Sequence, residues 1–458
     1  MKEDNALLIG AASSGCGKTT FTMGLLRALS RRSLSVQPFK CGPDYIDPLY
    51  HRQAAARESV NLDTFMASAD HVRQLYAHYG SDADVRVVEG AMGLYDGYDG
   101  WRGSAAEVAM LLDVPVVLLV SARAVAYSVA PLICGFRCFN PRLRLAGVVF
   151  NFVASERQYA TLRQACDDAG AECLGYLGRN ADLVIPSRHL GLTIEEQRQT
   201  EQLIDRAADE VDAHVDLDRL LATATVATVP AATVATVPAA TVATVPAASS
   251  RPVRCGSAAT PSAPSAPATT IAVARDEAFN FTYRANIDAL ARRGRVVFFS
   301  PLRDRSLPDC DLLYLPGGYP ELFAQQLSDN TTMRKSIRDY AEAGGRVLAE
   351  CGGFMYLCRD IDGRPMCGVL PMSTTMDGAR LHLGYRQMTV GGQTLRGHEF
   401  HYSSLRPSAC PPDVRRLVLQ QSATGAPVDT PIYKYKNVLA GYTHWYWGEQ
   451  SFESLWNI

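Results

Sequence analysis

The chain has 458 residues, with 45 Lys and Arg against 47 Asp and Glu, for a formal net charge of −2. That length calls for two or three domains, and that charge offers no global field to nucleic acid or an anionic membrane. No apolar run is long enough to span a bilayer, and Met1 to Asn5 lacks a basic start leading into an apolar stretch, so the cytoplasm is the expected compartment.

Ala6-Leu7-Leu8-Ile9 predicts a buried parallel strand, and Phe21 to Leu29 predicts a helix. Between them runs Ala12-Ser13-Ser14-Gly15-Cys16-Gly17-Lys18-Thr19-Thr20. Strand, glycine turn, Lys-Thr and helix are the parts of a phosphate cradle. The glycines let N–H groups face a polyphosphate, and the helix adds its positive end. Gly15, Gly17, Lys18, Thr19 and Thr20 are the expected ATP contacts, with the Thr19 hydroxyl also a Mg²⁺ ligand. Ala12 stands where the usual pattern has its first glycine, so the loop is a variant.

Leu34 to Lys40 predicts a second strand, delivering Lys40-Cys41-Gly42-Pro43-Asp44-Tyr45-Ile46-Asp47-Pro48 as a loop at a strand end. Lys40 suits an anion, and Asp44 and Asp47 suit Mg²⁺ or accept hydrogen bonds; the plainer alternative is a turn with solvated charges. Val85 to Val88 predicts the next strand, ending at Glu89-Gly90-Ala91-Met92-Gly93-Leu94-Tyr95-Asp96-Gly97. An acid there suits a second Mg²⁺ ligand, because carboxylates are hard donors. Strand Val114 to Val120, a helix from Ala124, strand Leu145 to Phe150 and a helix from about Ser155 continue the alternation of a doubly covered parallel sheet. Thr193 to Leu221 reads as the helical end of this half.

Thr225 to Ala232 recurs as an identical octet from Thr233 and again from Thr241, and Ser, Ala, Pro and Thr then dominate to Thr270. Residues 222–269 read as a low-complexity linker between domains 1–221 and 270–458.

Ile271 to Ala274 opens a second α/β unit. Asp311 to Pro316 predicts a strand ending at Gly317-Gly318-Tyr319-Pro320-Glu321, and Arg346 to Glu350 one that meets Cys351-Gly352-Gly353-Phe354. The 12 cysteines of the chain form no metal-type pairs and read as reduced thiols. Cys351 stands apart, at an elbow between a strand and a Gly-led helix, where the helix N-terminus favours thiolate. Gly318 and Gly352 are the expected oxyanion-hole amides. The base is sought downstream among His382, His398, His401 and His444. His444 is preferred, as it follows the apolar run Val438 to Thr443 and is expected at a strand end. His398 and His401 are read as sharing one face of a strand. No orienting acid stands out; Glu449 and Glu399 are the candidates.

Lys40 to Pro48, Glu89 to Gly97, Pro316 to Glu321 and Glu350 to Phe354 together resemble the cobyrinate a,c-diamide synthase family, over nearly the whole chain except the octets. The resemblance implies an α/β fold class: a dethiobiotin-synthetase-like P-loop domain followed by a class I glutamine amidotransferase domain. It implies Cys351 as glutaminase nucleophile and His444 as its base. It also implies ATP- and Mg²⁺-dependent amidation of the a and c acetates of a corrinoid in cobalamin biosynthesis, with glutamine as nitrogen donor and an acyl phosphate between. Tyr45, Asp47 and Asp96, in the matching loops, are then the expected substrate contacts. A homodimer is compatible with this scheme; nucleic acid and membrane are not expected partners. Tyr446 stands where the family often has a second histidine, and the octets are foreign to its pattern. The same scaffold diamidates hydrogenobyrinate or nickel-sirohydrochlorin. A different class, the P-loop switch ATPase with an inactive glutaminase-like domain, needs a signature lysine where Ser13 stands.

Overall fold

A computed structural model describes residues 5–183, 185, 194–224, 269–406 and 412–457. In the first half, seven segments form one sheet: β1 (Asn5–Ala11), β2 (Val36–Cys41), β3 (Val60–Leu62), β4 (Val85–Glu89), β5 (Val116–Ser121), β6 (Leu145–Val153) and β7 (Cys173–Gly178). Their order is β3-β2-β4-β1-β5-β6-β7, and every neighbouring pair is parallel. Ala6 to Ala11 of β1 are all buried, which is why the segment reads as an unbroken apolar run. The chain leaves β1 in one direction to β2 and β4 and in the other to β5, so the carboxyl ends of these strands frame a crevice.

The helix α1 (Lys18–Arg31) packs on the long helix Ile194–His214. Gly24 makes the close approach feasible, since a Cβ there would stand 2.6 Å from the Ala207 carbonyl oxygen. Arg27 and Arg31 lace the same interface to Glu201, Asp205 and Asp209. The helix expected from Ala124 begins later, at Val129, because Ala124 adopts a positive φ of 54° and breaks the chain direction first. A helix Leu217–Thr223 closes the half, and the Ala224 carbonyl accepts the Ala6 N–H at 2.9 Å. Nearly all of the expected linker, residues 225–268, lies outside the described residues.

In the second half, β8 (Thr270–Ala274), β9 (Arg295–Phe299), β10 (Leu312–Leu315) and β11 (Arg346–Glu350) join strands Val438–Gly441, Ile432–Tyr435 and Arg415–Leu417 in a seven-stranded sheet. It is parallel from β9 through Val438–Gly441 and antiparallel at the far edge. A separate antiparallel sheet holds His382–Val390, Gln393–His401 and Thr443–Tyr446.

The two halves touch through side chains. Tyr385 donates to Asp63 at 2.7 Å, Arg396 to the Phe65 carbonyl at 3.0 Å, and the Ser68 amide to Glu449 at 2.8 Å. His71 meets the Tyr446 hydroxyl at 2.8 Å, and Tyr79 donates to Asp288. Phe281, Tyr283, Tyr319 and Tyr446 pack into the same apolar core as Phe39, Tyr45 and Phe65. Among the described residues, no helix is long and apolar enough to cross a membrane.

Candidate active site

The first centre lies at the carboxyl ends of β1, β2 and β4. Gly15 and Gly17 have φ of 78° and 89°, a region open to glycine at little cost. Gly17 is also sterically required, as a Cβ would fall 2.1 Å from Nδ2 of Asn151, which donates to the Cys16 carbonyl. Lys18 donates to the Met92 carbonyl, Thr20 reaches the Leu183 carbonyl at 3.5 Å, and the Thr19 hydroxyl donates to Glu89 at 3.1 Å.

Glu89 and Lys40 are both fully enclosed at the adjoining ends of β4 and β2. Lys40 Nζ lies 2.5 Å from Asp47, 3.0 Å from Glu89 and 3.6 Å from Asp44. Burial works against its charge, but the three carboxylates outweigh it and hold the ammonium well above its usual range. Burial likewise pushes Glu89 up, while Lys40 and His51 pull harder and leave it ionised below the usual carboxylate range. Asp44 caps its own turn, accepting the Ile46 N–H at 2.8 Å, and Asp96 accepts the Gly93 N–H at 2.8 Å.

His51 is a member that sequence reasoning missed. Its Nε2 lies 2.7 Å from Glu89 and its Nδ1 3.0 Å from the Ser59 hydroxyl. The available signal was spacing: His51 follows Asp47 by four residues on helix α2 (Asp47–Ala55), one turn along the same face.

The second centre lies at the carboxyl end of β11. Cys351 has φ 47° and ψ −106°, a strained turn that sets its thiol ahead of the helix Gly352–Leu357. The Cys351 thiol donates to the Phe400 carbonyl at 3.6 Å. Burial first, and the charge of Glu321 second, push that thiol upward, away from thiolate. A Cβ on Gly352 would stand 3.0 Å from the Gly318 nitrogen, so the Gly318 backbone lies against Gly352. Glu350, one residue earlier, accepts the Trp445 N–H at 3.0 Å and the Tyr314 hydroxyl at 2.8 Å; burial pushes its carboxyl up to about 8.

His444 is not at the end of the strand Val438–Gly441. The chain leaves that sheet at Gly441 and enters the antiparallel one, where His444 pairs with His398 inside Thr443–Tyr446. The expectation that His398 and His401 share a face is also corrected. They are three residues apart on a strand of period two, so they face oppositely. His398 stacks on His444, with centroids 5.1 Å apart. His401 turns the other way, to Glu399 at 2.8 Å and the Ser403 carbonyl at 2.8 Å.

His444 is fully buried, and neither ring nitrogen finds a side-chain partner among the described residues; the Phe400 backbone is its favourable polar neighbour. Burial, and then the neighbouring His398, hold it well below its ordinary range, hence neutral. Burial pushes His398 down to about 3. Neither candidate acid hydrogen-bonds His444: Glu449 caps Ser68, and Glu399 is taken by Arg386, His401 and Thr430. Packing holds the ring instead. Gly317 lies under it, and Tyr45 stands at 5.1 Å.

Tyr45 joins the two centres. It follows Asp44 in the first-half loop, yet its ring lies 5.0 Å from Phe281, 4.6 Å from Tyr283 and 5.5 Å from His398. A cleft of about 1590 Å³ runs between the halves, lined on one side by Thr19, Lys40 and Glu89 and on the other by Tyr385, Arg386 and His398.

Residues 7–192 match the CobQ/CobB/MinD/ParA nucleotide binding domain family, and residues 270–452 the CobB/CobQ-like glutamine amidotransferase domain family. The chain is 41% identical to a hydrogenobyrinate a,c-diamide synthase of Streptomyces coelicolor, over 88% of this chain and 87% of that protein. It is 39% identical to a cobyrinate a,c-diamide synthase of Dehalococcoides mccartyi, over 96% of this chain and 95% of that protein. It is 37% identical to a cobyrinate a,c-diamide synthase of Salmonella typhimurium, over 96% and 94%. An ATP site and a glutamine site in one chain follow from the two domains, and the chain belongs to the family of cobyrinate and hydrogenobyrinate a,c-diamide synthases.

Proposed function

We propose that this protein converts the a and c acetate carboxylates of cobyrinate to amides, using ATP and the amide nitrogen of glutamine, in cobalamin biosynthesis. The observation that carries the reading is the shared cleft. A nucleotide cradle opens into it on one side, and the wall of rings against His444 closes it on the other. Residues 1–221 and 270–458 are the two working domains of this scheme.

A carboxylate resists attack by ammonia because its negative charge must be overcome. Transfer of the γ-phosphoryl group to it gives an acyl phosphate with a good leaving group. Lys18, the loop amides of Gly15 and Gly17, and Thr20 bind the phosphates, and Lys40 balances the charge gathered there. Thr19, Asp44 and Glu89 offer hydroxyl and carboxylate oxygens, a donor set that fits Mg²⁺. Bound there, Mg²⁺ supplies neutralising charge to the phosphates. Tyr45, Asp47 and Asp96 sit in the loops that flank the incoming carboxylate.

In the other centre, Cys351 attacks the glutamine amide carbon while the Gly318 and Gly352 amides hold the oxyanion. His444 takes the thiol proton and returns it to the departing nitrogen. Water then cleaves the thioester to glutamate. Ammonia crosses to the acyl phosphate; shielding from water keeps it unprotonated and nucleophilic.

The relatives' names divide between a cobalt-bearing and a metal-free macrocycle. Incubation with ATP, glutamine and each of cobyrinate and hydrogenobyrinate, read by mass, separates the two. The reading expects two amides on cobyrinate, and Cys351→Ala active with ammonium salt but not with glutamine. Loss of both activities in Cys351→Ala, or no amide on either acid, defeats it.

A further inference from the structure

Glu321 lies in the short turn Pro320–Phe323, three residues beyond Gly318. That loop rests directly on the nucleophile's elbow: a Cβ on Gly352 would stand 2.8 Å from the Pro320 ring as well as 3.0 Å from the Gly318 nitrogen. The Glu321 carboxylate has no side-chain hydrogen bond or ion pair among the described residues; its own backbone amide is its sole favourable contact. The residue is half-buried, and the loss of water pushes its carboxyl up to about 7.

This acid is out of place for the thiol alone. A nucleophilic cysteine ionises more readily beside cations, and an unpaired carboxylate opposes it. The neighbouring acids have partners: Glu350 accepts from Tyr314 and Trp445, and Glu399 is held by Arg386, His401 and Thr430. Glu321 alone among these three waits for a cation. A free amino acid substrate brings one, an α-ammonium, which distinguishes it from any simple primary amide.

We propose that Glu321 receives the α-ammonium of glutamine and is the specificity-determining residue of the amide-hydrolysing centre. The assignment rests on Cys351 being the glutaminase nucleophile. Pairing with the ammonium removes the charge that works against the thiolate, so the same contact that selects the substrate also readies the attack.

The test uses the full chain, with Glu321→Gln and Glu321→Asp. Two amides are compared: glutamine and its deaminated analogue, 5-amino-5-oxopentanoate, which lacks the ammonium. The wild type prefers glutamine. Glu321→Gln lowers kcat/KM for glutamine about ten- to a hundredfold, mostly through KM, as expected for one lost charge-assisted contact. It does not lower kcat/KM for the deaminated amide, and removal of the charge that opposes the thiolate raises it, so the preference collapses. Glu321→Asp restores part of it. Ammonium-driven amidation at the other centre stays within twofold and reports that the variants are folded. An unchanged preference, or an equal fall for both amides, overturns the assignment. A wild type that hydrolyses neither amide overturns the role of Cys351, and this assignment with it.

Discussion

Gly317→Ala is the sharpest test of His444 as the proposed glutaminase base. The Gly317 backbone is not in the left-handed region, so alanine meets no conformational objection there. Its Cβ, however, would stand 2.2 Å from Cε1 of His444, 3.0 Å from Nδ1 and 3.2 Å from Nε2. Ordinary carbon contacts are about 3.5–4.0 Å, so the ring must retreat by more than 1 Å. It has little room, being fully buried with His398 and Tyr45 packed against it at 5.1 Å each. A misplacement of about 1 Å costs on the order of 10²-fold in rate, or ~2.7 kcal/mol of barrier. Overpacking adds about 1–3 kcal/mol of lost stability. The assay compares amidation driven by glutamine with amidation driven by ammonium salt. The first falls about a hundredfold; the second stays near wild type. Should a folded Gly317→Ala keep its glutamine-driven rate within threefold, His444 is not the base.

Other outcomes follow from the two centres and the packing around them. Glu89→Gln removes the carboxylate shared by Thr19, Lys40 and His51, and abolishes ATP turnover with either nitrogen source, measured as phosphate release; retained turnover refutes its role. Gly24→Leu forces α1 off the Ala207 carbonyl and costs about 3 kcal/mol or more, read from the urea midpoint, because the helices cannot separate without losing their packing. Glu350 sets a pH signature. Its carboxyl, held near 8 by burial, keeps a proton that the unfolded chain has lost, so it drains stability as pH rises from about 5 toward 8. The slope is up to ~1.4 kcal/mol per pH unit, and Glu350→Gln flattens it in denaturation curves taken across that range.

What could be read from the sequence was written locally. Lys18, Lys40, Glu89 and Cys351 each stand where an apolar strand meets glycine or polar residues, and a parallel sheet brings such junctions to one edge. What could not be read lies in contacts between distant segments. Tyr45 meets His444 across some 400 positions, and no periodicity of either segment encodes the other. The run from Val438 to Tyr446 looks continuous, yet the chain changes sheets within it, so His444 could be named but not placed. The faces of His398 and His401 were legible from strand alternation, and the spacing of three decides the matter. His51 was accessible through its turn-spacing from Asp47; Glu399's partners Arg386 and Thr430 were not.

The pairs Asp63–Tyr385, Phe65–Arg396, Ser68–Glu449, His71–Tyr446 and Tyr79–Asp288 all draw their first member from seventeen consecutive positions, 63 to 79. One short stretch therefore serves as the keel on which the second body is seated. A single change within those seventeen positions can therefore unseat the body they carry.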